Sequence, residues 1–151
     1  MRFAGFWRRF GAALIDGLVL GVAMTVLGAL GVPIYRHREF TAGMAGGSFA
    51  TSFQVDYNEL GMALGALLYW LYFAAFESSR RQATLGKLAL AIRVTDLAGG
   101  RIGFGRASGR YFAKYLSAAI LMIGFAMAGF TARKQALHDL IAGTLVVDRT
   151  P

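Results

Sequence analysis

The chain has 151 residues, 56% of them hydrophobic and 16% charged, so an integral membrane domain spanning 1–151 is expected rather than a water-soluble or disordered one. It has no Cys, which excludes disulfides, thiolate metal sites and thiol chemistry. The net charge of +8 could suit nucleic acid, but the basic residues lie beside apolar runs; anionic headgroups and the inside-positive bias explain them without a nucleic-acid partner.

The first apolar run, Phe10 to Val32, has Arg9 at its mouth and Asp16 as its only charge. At about 1.5 Å per residue it can cross a hydrocarbon core of about 30 Å. An acid in the run and its length argue for a retained helix rather than a cleaved signal peptide, despite the basic Arg2, Arg8 and Arg9. Arg9 and Asp16 are about two turns apart and project from one face. Insertion of an acid near a helix centre costs about 2.5 to 3.5 kcal/mol. Asp16 should therefore face protein or water, either as a helix-packing residue or as an acid in an ion or proton path. Gly17 and Gly21 follow as a small-xxx-small pair suited to helix contact.

Pro33 ends this run, and Ile34 to Asn58 reads as an irregular polar loop, with a glycine-rich stretch from Gly43 to Gly47. His37, between two arginines, is a solvated loop residue with no assigned role. The second apolar run, Leu60 to Phe76, is short for a span and carries Tyr69, Trp70 and Tyr72, which suit an interfacial belt or the bundle interior. Gly61 and Gly65 repeat the small-residue spacing, and Glu77 sits at the membrane edge. Lys and Arg concentrate in the N-terminal tail and between Glu77 and Tyr111, so both segments are expected in the cytoplasm. Arg9 and Glu77 would then share a level and could pair.

In the second connection, Leu85, Leu88, Ala89 and Ile92 recur at helical spacing and predict a short amphipathic surface helix. Ile92 to Asp96 alternates, LAGGR supplies a turn, and Ile102 with Phe104 would return as the second strand of a β-hairpin. Arg106, Arg110 and Lys114 at i, i+4 and i+8 make a basic stripe for lipid headgroups or a partner. The third apolar run, Phe112 to Phe130, ends before Arg133 and Lys134. A short helix with His138 and Asp139 follows, then a β-like Leu145 to Val147. Adjacent helical residues diverge by about 100°, and no further His or Cys completes a metal site.

Three blocks, FWRRFGAALID, ESSRRQATLGKLALAIRVTDLAGGRIGFGRA and RKQALHDLIAGTLVV, occur in that order around the membrane runs. Together they resemble the RDD family of small bacterial membrane proteins, named for one arginine and two aspartates. The resemblance implies that Arg9, Asp16 and Asp139 are those residues, and that the chain is a multi-pass protein of the bacterial cytoplasmic membrane. Some members have been assigned cation/proton antiport. The match departs in ESSRRQATLGK, where Arg81 and Gln82 stand at the position that usually carries a Trp or a small residue before ATLGK.

The expected fold is an all-α membrane protein with about three transmembrane helices, the short cytoplasmic helix and the hairpin. If the third run crosses fully, Asp139 emerges opposite Arg9, Asp16 and Glu77. If it re-enters, bending near Gly124, both aspartates lie on one side and Leu145 to Val147 can pair with Ile92 to Thr95. Two functions follow. In the first, Asp16 binds protons and monovalent cations, Arg9 tunes it, Asp139 is a second carboxylate or a gate residue, and Glu77 partners Arg9. Three spans then require a homo-oligomer, through the Gly17/Gly21 and Gly61/Gly65 faces. In the second, the chain is a non-transporting adaptor that binds headgroups or a partner protein through its basic cytoplasmic segment. No enzyme, cofactor or metal is expected, because no nucleophile–base arrangement, metal cluster or phosphate loop is present.

Overall fold

The computed structural model describes residues 1–45, 48–119 and 123–149. The chain divides into two compact units, Leu20–Leu68 and the combination of Met1–Val19 with Tyr69–Pro151. Helices α1 (Phe6–Ala29) and α2 (Glu59–Ser78) run through both. They are the two helices long and apolar enough to cross a membrane among the described residues. Only 17% of each apolar window is buried inside the protein, unlike the core helix of a soluble domain, so these side chains need lipid or protein around them.

In the Leu20–Leu68 unit, β1 (Tyr35–Ala45) and β2 (Ser48–Tyr57) pair antiparallel, from Tyr35 opposite Tyr57 to Ala45 opposite Ser48. This corrects the irregular loop expected over Ile34 to Asn58. Gly43 lies within β1, while Gly46 and Gly47 of the expected glycine-rich loop lie outside the described residues. Phe49, Thr51, Phe53, Val55 and Tyr57 are β-formers at every second position, and that alternation favours a strand over the polar composition that suggested a loop. Asn58 then caps α2, its side-chain oxygen accepting from the Gly61 N–H. A side-chain carbon at Gly61 would lie 2.2 Å from the Ile34 carbonyl oxygen, so only glycine permits this approach.

In the other unit, α3 (Leu85–Ala89), β3 (Ile92–Asp96), α4 (Phe104–Ala119), α5 (Ile123–Phe130), α6 (Leu137–Ala142) and β4 (Thr144–Asp148) follow α2. Strand β3 pairs antiparallel with β4, Val94 opposite Val146, and not with Ile102 or Phe104. The turn expected at LAGGR does form, Asp96 accepting from the Ala98 and Gly100 N–H groups at 2.9 and 2.7 Å, with Gly99 at φ 87°. Too few residues remain before α4 to make a returning strand, and Ile102 enters the core instead. The N-terminal tail lies along the free edge of β4, the Ala4 N–H donating to Val146 O and the Asp148 N–H to Arg2 O, both at 2.9 Å. Ile92, Val94 and Val146 pack with Ala4, Ala12, Ala74, Ile102 and Ala107. Full burial of each of the four larger side chains, Ile92, Val94, Ile102 and Val146, contributes about 1.5 to 3 kcal/mol.

The third apolar run is not one helix. Helix α4 begins at Phe104 and ends at Ala119, and α5 starts at Ile123. A side-chain carbon at Gly124 would be 2.8 Å from Ser117 Cα, so α5 is packed back against α4. In α3, α4 and α6 several polar residues turn inward and several large apolar ones outward: Lys87, Arg110, His138 and Asp139 are buried, whereas Leu85, Phe112, Leu116, Leu140 and Ile141 are exposed. The short surface helix expected from Leu85, Leu88, Ala89 and Ile92 thus forms over five residues, with Leu85 outward and Ile92 in β3.

Candidate functional site

Two clusters of buried charge hold this unit together. Asp16, 1% exposed on α1, accepts three hydrogen bonds: from the Tyr72 hydroxyl at 2.7 Å, the Thr84 hydroxyl at 2.6 Å and the Gly86 N–H at 2.7 Å. The Tyr72 oxygen accepts in turn from the Leu85 N–H at 3.1 Å. The first two N–H groups of α3, which have no partner within their own helix, are thereby satisfied by side chains of α1 and α2. Thr84, at the N-cap, spends its hydroxyl on Asp16 rather than on its own helix. The approach is close enough to require glycine, because a side-chain carbon at Gly86 would lie 2.1 Å from the Ala12 carbonyl oxygen. Among the described residues Asp16 forms no ion pair.

The second cluster is ionic. Glu77, at the end of α2, pairs with Lys87 of α3 and, at 2.7 Å, with Arg110 Nη1 of α4. Arg110 also donates from Nε at 2.8 Å and Nη2 at 2.7 Å to one oxygen of Asp139 on α6. The other Asp139 oxygen pairs with Arg9 of α1 and accepts from the Ala136 N–H at 3.1 Å, which closes the start of α6. Arg9 further donates to the carbonyls of Ala4, at 2.9 Å, and Lys134. The order Lys87, Glu77, Arg110, Asp139, Arg9 thus alternates in sign and joins five elements. Burial would push the Asp139 carboxyl up, but Arg110 and Arg9 outweigh it and hold the group well below the usual carboxylate range. For Arg110 burial acts against the charge, and Glu77 and Asp139 more than restore it. Burial prevails at Lys87, whose ammonium is pulled down despite Glu77. His138 lies 3.4 Å from both Ser117 Oγ and Asp139; burial and then Arg110 push it down to about 3, so it is neutral at physiological pH.

The residues singled out from the sequence therefore fall into different places. Among the described residues Asp16 and Asp139 share no hydrogen-bond partner. Arg9, expected beside Asp16, turns to Asp139, and Arg110 stands where Glu77 was expected to meet Arg9. Arg110 itself, expected on a headgroup-facing stripe, is 2% exposed with its guanidinium locked between two acids. Lys114 also leaves that stripe, its ammonium 3.8 Å from the Phe73 ring centre and 3.9 Å from Glu77. Arg106 alone of the three is exposed. The Gly65 position is filled by Met24 and the Gly61 position by Ile34, so this pair is used within the chain, whereas side-chain carbons at Gly17 and Gly21 would meet nothing within 4 Å. Sequence reading missed Lys87, Thr84 and Gly86. Their one shared signal is the ATLGK block itself, a compact polar run beside apolar segments.

The chain is 36% identical over 151 positions to a Bacillus subtilis (strain 168) protein described as "Uncharacterized protein YxaI", covering 95% of this chain and 96% of that one. It is 30% identical to the "Uncharacterized membrane protein YteJ" of the same organism, covering 96% of this chain and 80% of the relative. No solved structure matches. The RDD family pattern matches residues 3–143, a range that contains Arg9, Asp16, Glu77, Arg110 and Asp139 and so both buried clusters; the chain belongs to the RDD family of membrane proteins.

Proposed function

We propose that this chain is a non-enzymatic, non-transporting membrane adaptor, whose two buried clusters fasten a layer of short elements to α1 and α2 at the cytoplasmic face. The observation that carries this reading is that each acid already has fixed partners: three donors at Asp16, Lys87 and Arg110 at Glu77, Arg110 and Arg9 at Asp139. An acid that exchanges protons for cations has to open and change partners, whereas a fully satisfied polar network rigidifies its surroundings. The outward Leu85, Phe112, Leu116, Leu140 and Ile141 suit immersion of this layer in the inner leaflet, with α4 and α5 re-entering rather than crossing. The Lys and Arg distribution supports a cytoplasmic N-terminus in the bacterial inner membrane. Exposed Arg80, Arg81, Arg101 and Arg106 then face anionic headgroups or an acidic partner protein.

Cation/proton exchange is the second reading, favoured by one observation. Asp16 is a buried carboxylate without an ion pair among the described residues, and the Tyr72 and Thr84 hydroxyl oxygens beside it could share a cation with it. Reconstitution into proteoliposomes separates the two. The adaptor reading expects no proton flux under Na⁺, K⁺ or Li⁺ gradients, with Asp16→Asn lowering stability. Cation-dependent flux that disappears in a folded Asp16→Asn variant would overturn it.

A further inference from the structure

An open cavity of about 640 Å³ lies where α1 begins, between the N-terminal tail and the segment after α5. Arg2, Gly5, Trp7, Arg8, Lys134 and Asp148 line it. Three cations face one acid, and that acid is already paired with Arg8. Arg2 and Lys134 are exposed, and among the described residues neither side chain has an ion-pair partner. The Lys134 ammonium lies 3.8 Å from where a side-chain carbon on Gly5 would be, an ordinary contact distance, so the lysine reaches the N-terminal tail. The segment is held in this place independently of the lysine side chain: it is the Lys134 carbonyl that accepts from Arg9. The first turn of α1 contains no acid, so its N–H groups and the positive end of the helix dipole add to the field of the cations. Trp7 is 78% exposed and Phe10 46%, placing two aromatic rings at the level where a membrane-crossing helix would enter the headgroups.

We infer that this cavity binds the phosphate of an anionic phospholipid headgroup, with Arg2 and Lys134 as the free cations, Arg8 held in place by Asp148, and Trp7 against the glycerol and upper acyl chain. Charge complementarity selects the anion. The adjoining apolar rings, at the mouth of a helix of spanning length, select a lipid over a soluble phosphate. The site requires only that α1 enters the membrane, and it stands or falls separately from the adaptor reading.

The test is quenching of tryptophan fluorescence in the full-length protein, reconstituted in nanodiscs that contain brominated phosphatidylglycerol or, at the same mole fraction, brominated phosphatidylcholine. Stronger quenching by the anionic lipid is expected, with the difference lost in Trp7→Phe, which leaves Trp70 as the remaining tryptophan. The preference should fall about fivefold for each cation removed in Arg2→Gln and Lys134→Gln, the equivalent of roughly 1 kcal/mol per basic residue near an anionic surface. Arg149→Gln, which removes one charge from an exposed position outside the cavity lining, should retain it. Equal quenching by the two lipids overturns the proposal, as does a preference that survives Arg2→Gln/Lys134→Gln in protein of unchanged melting temperature. Abolition of the preference by millimolar inorganic phosphate at constant ionic strength would also overturn it, by making the site one for a free anion.

Discussion

Asp16 and Asp139 are buried acids of the same compact unit, and they are stabilised by opposite means. Asp16 is surrounded by neutral donors, two hydroxyls and a backbone N–H, whereas Asp139 lies between the guanidiniums of Arg110 and Arg9. The first arrangement caps a five-residue helix that is too short to be stable by its own hydrogen bonds. The second joins elements remote in sequence through charges that cannot be left unpaired. A neutral donor that is lost leaves one unsatisfied atom. An ion that is lost leaves its counterions exposed to the full cost of burial.

The largest effect should therefore come from the cation at the centre of the ionic cluster. Arg110→Ala strips both Glu77 and Asp139 of their shared partner and should cost about 3 to 5 kcal/mol. In detergent this would be read as a large fall in melting temperature, and in cells as low abundance. Arg106→Ala, one turn earlier and exposed, should change stability by less than about 0.5 kcal/mol. Equal effects from the two would mean that the ionic cluster does not carry the fold.

Asp16→Asn should come next, at about 1 to 3 kcal/mol. The amide supplies one acceptor oxygen where the carboxylate satisfies three donors, and its NH₂ faces groups that themselves donate. Hydrogen exchange should locate the loss at Gly86, whose N–H donates to Asp16, and next at Leu85, whose acceptor Tyr72 is held by Asp16. An equally large loss at α6 would join the two clusters into one and dissolve the contrast between them.

At neutral pH the smallest expected effect is that of His138, which acts through pH dependence. His138 has its pKa lowered from the usual 6.5 to about 3 in the folded protein. The unfolded chain therefore binds the proton first. Its contribution to stability is full above about pH 6.5 and is lost as pH falls toward 3, at up to about 1.4 kcal/mol per pH unit. Melting temperature should decline from pH 7 to 4, and His138→Gln should flatten that decline. Asp139, with its pKa lowered, loses its contribution only as pH falls below the ordinary carboxylate range. A slope unchanged by His138→Gln would assign the decline to other groups.

Several of these features were legible in the residues alone. An acid isolated in an apolar run had to be satisfied inside the protein, because lipid offers it no donor; Asp16 could be singled out on that ground. The two long apolar segments follow from length and composition, since a helix is the form in which a membrane segment satisfies its own backbone. The hairpin β1–β2 was visible as alternation from Phe49 to Tyr57 but was obscured by its glycines and charges. Other features depend on pairings between distant parts of the chain. Spacing places Arg110 on a helix face but does not say which way that face turns, and it is the arrival of Glu77 and Asp139 that turns it inward. In the same way β4 displaces Ile102 as the partner of β3, because Gly124 lets α5 fold against α4 and brings the C-terminal segment back. Sequence by itself determined which groups were too polar or too apolar for their neighbours. Which partner answered each of them was decided by tertiary structure, because buried charges are paired across space and carry no record of that pairing in local periodicity.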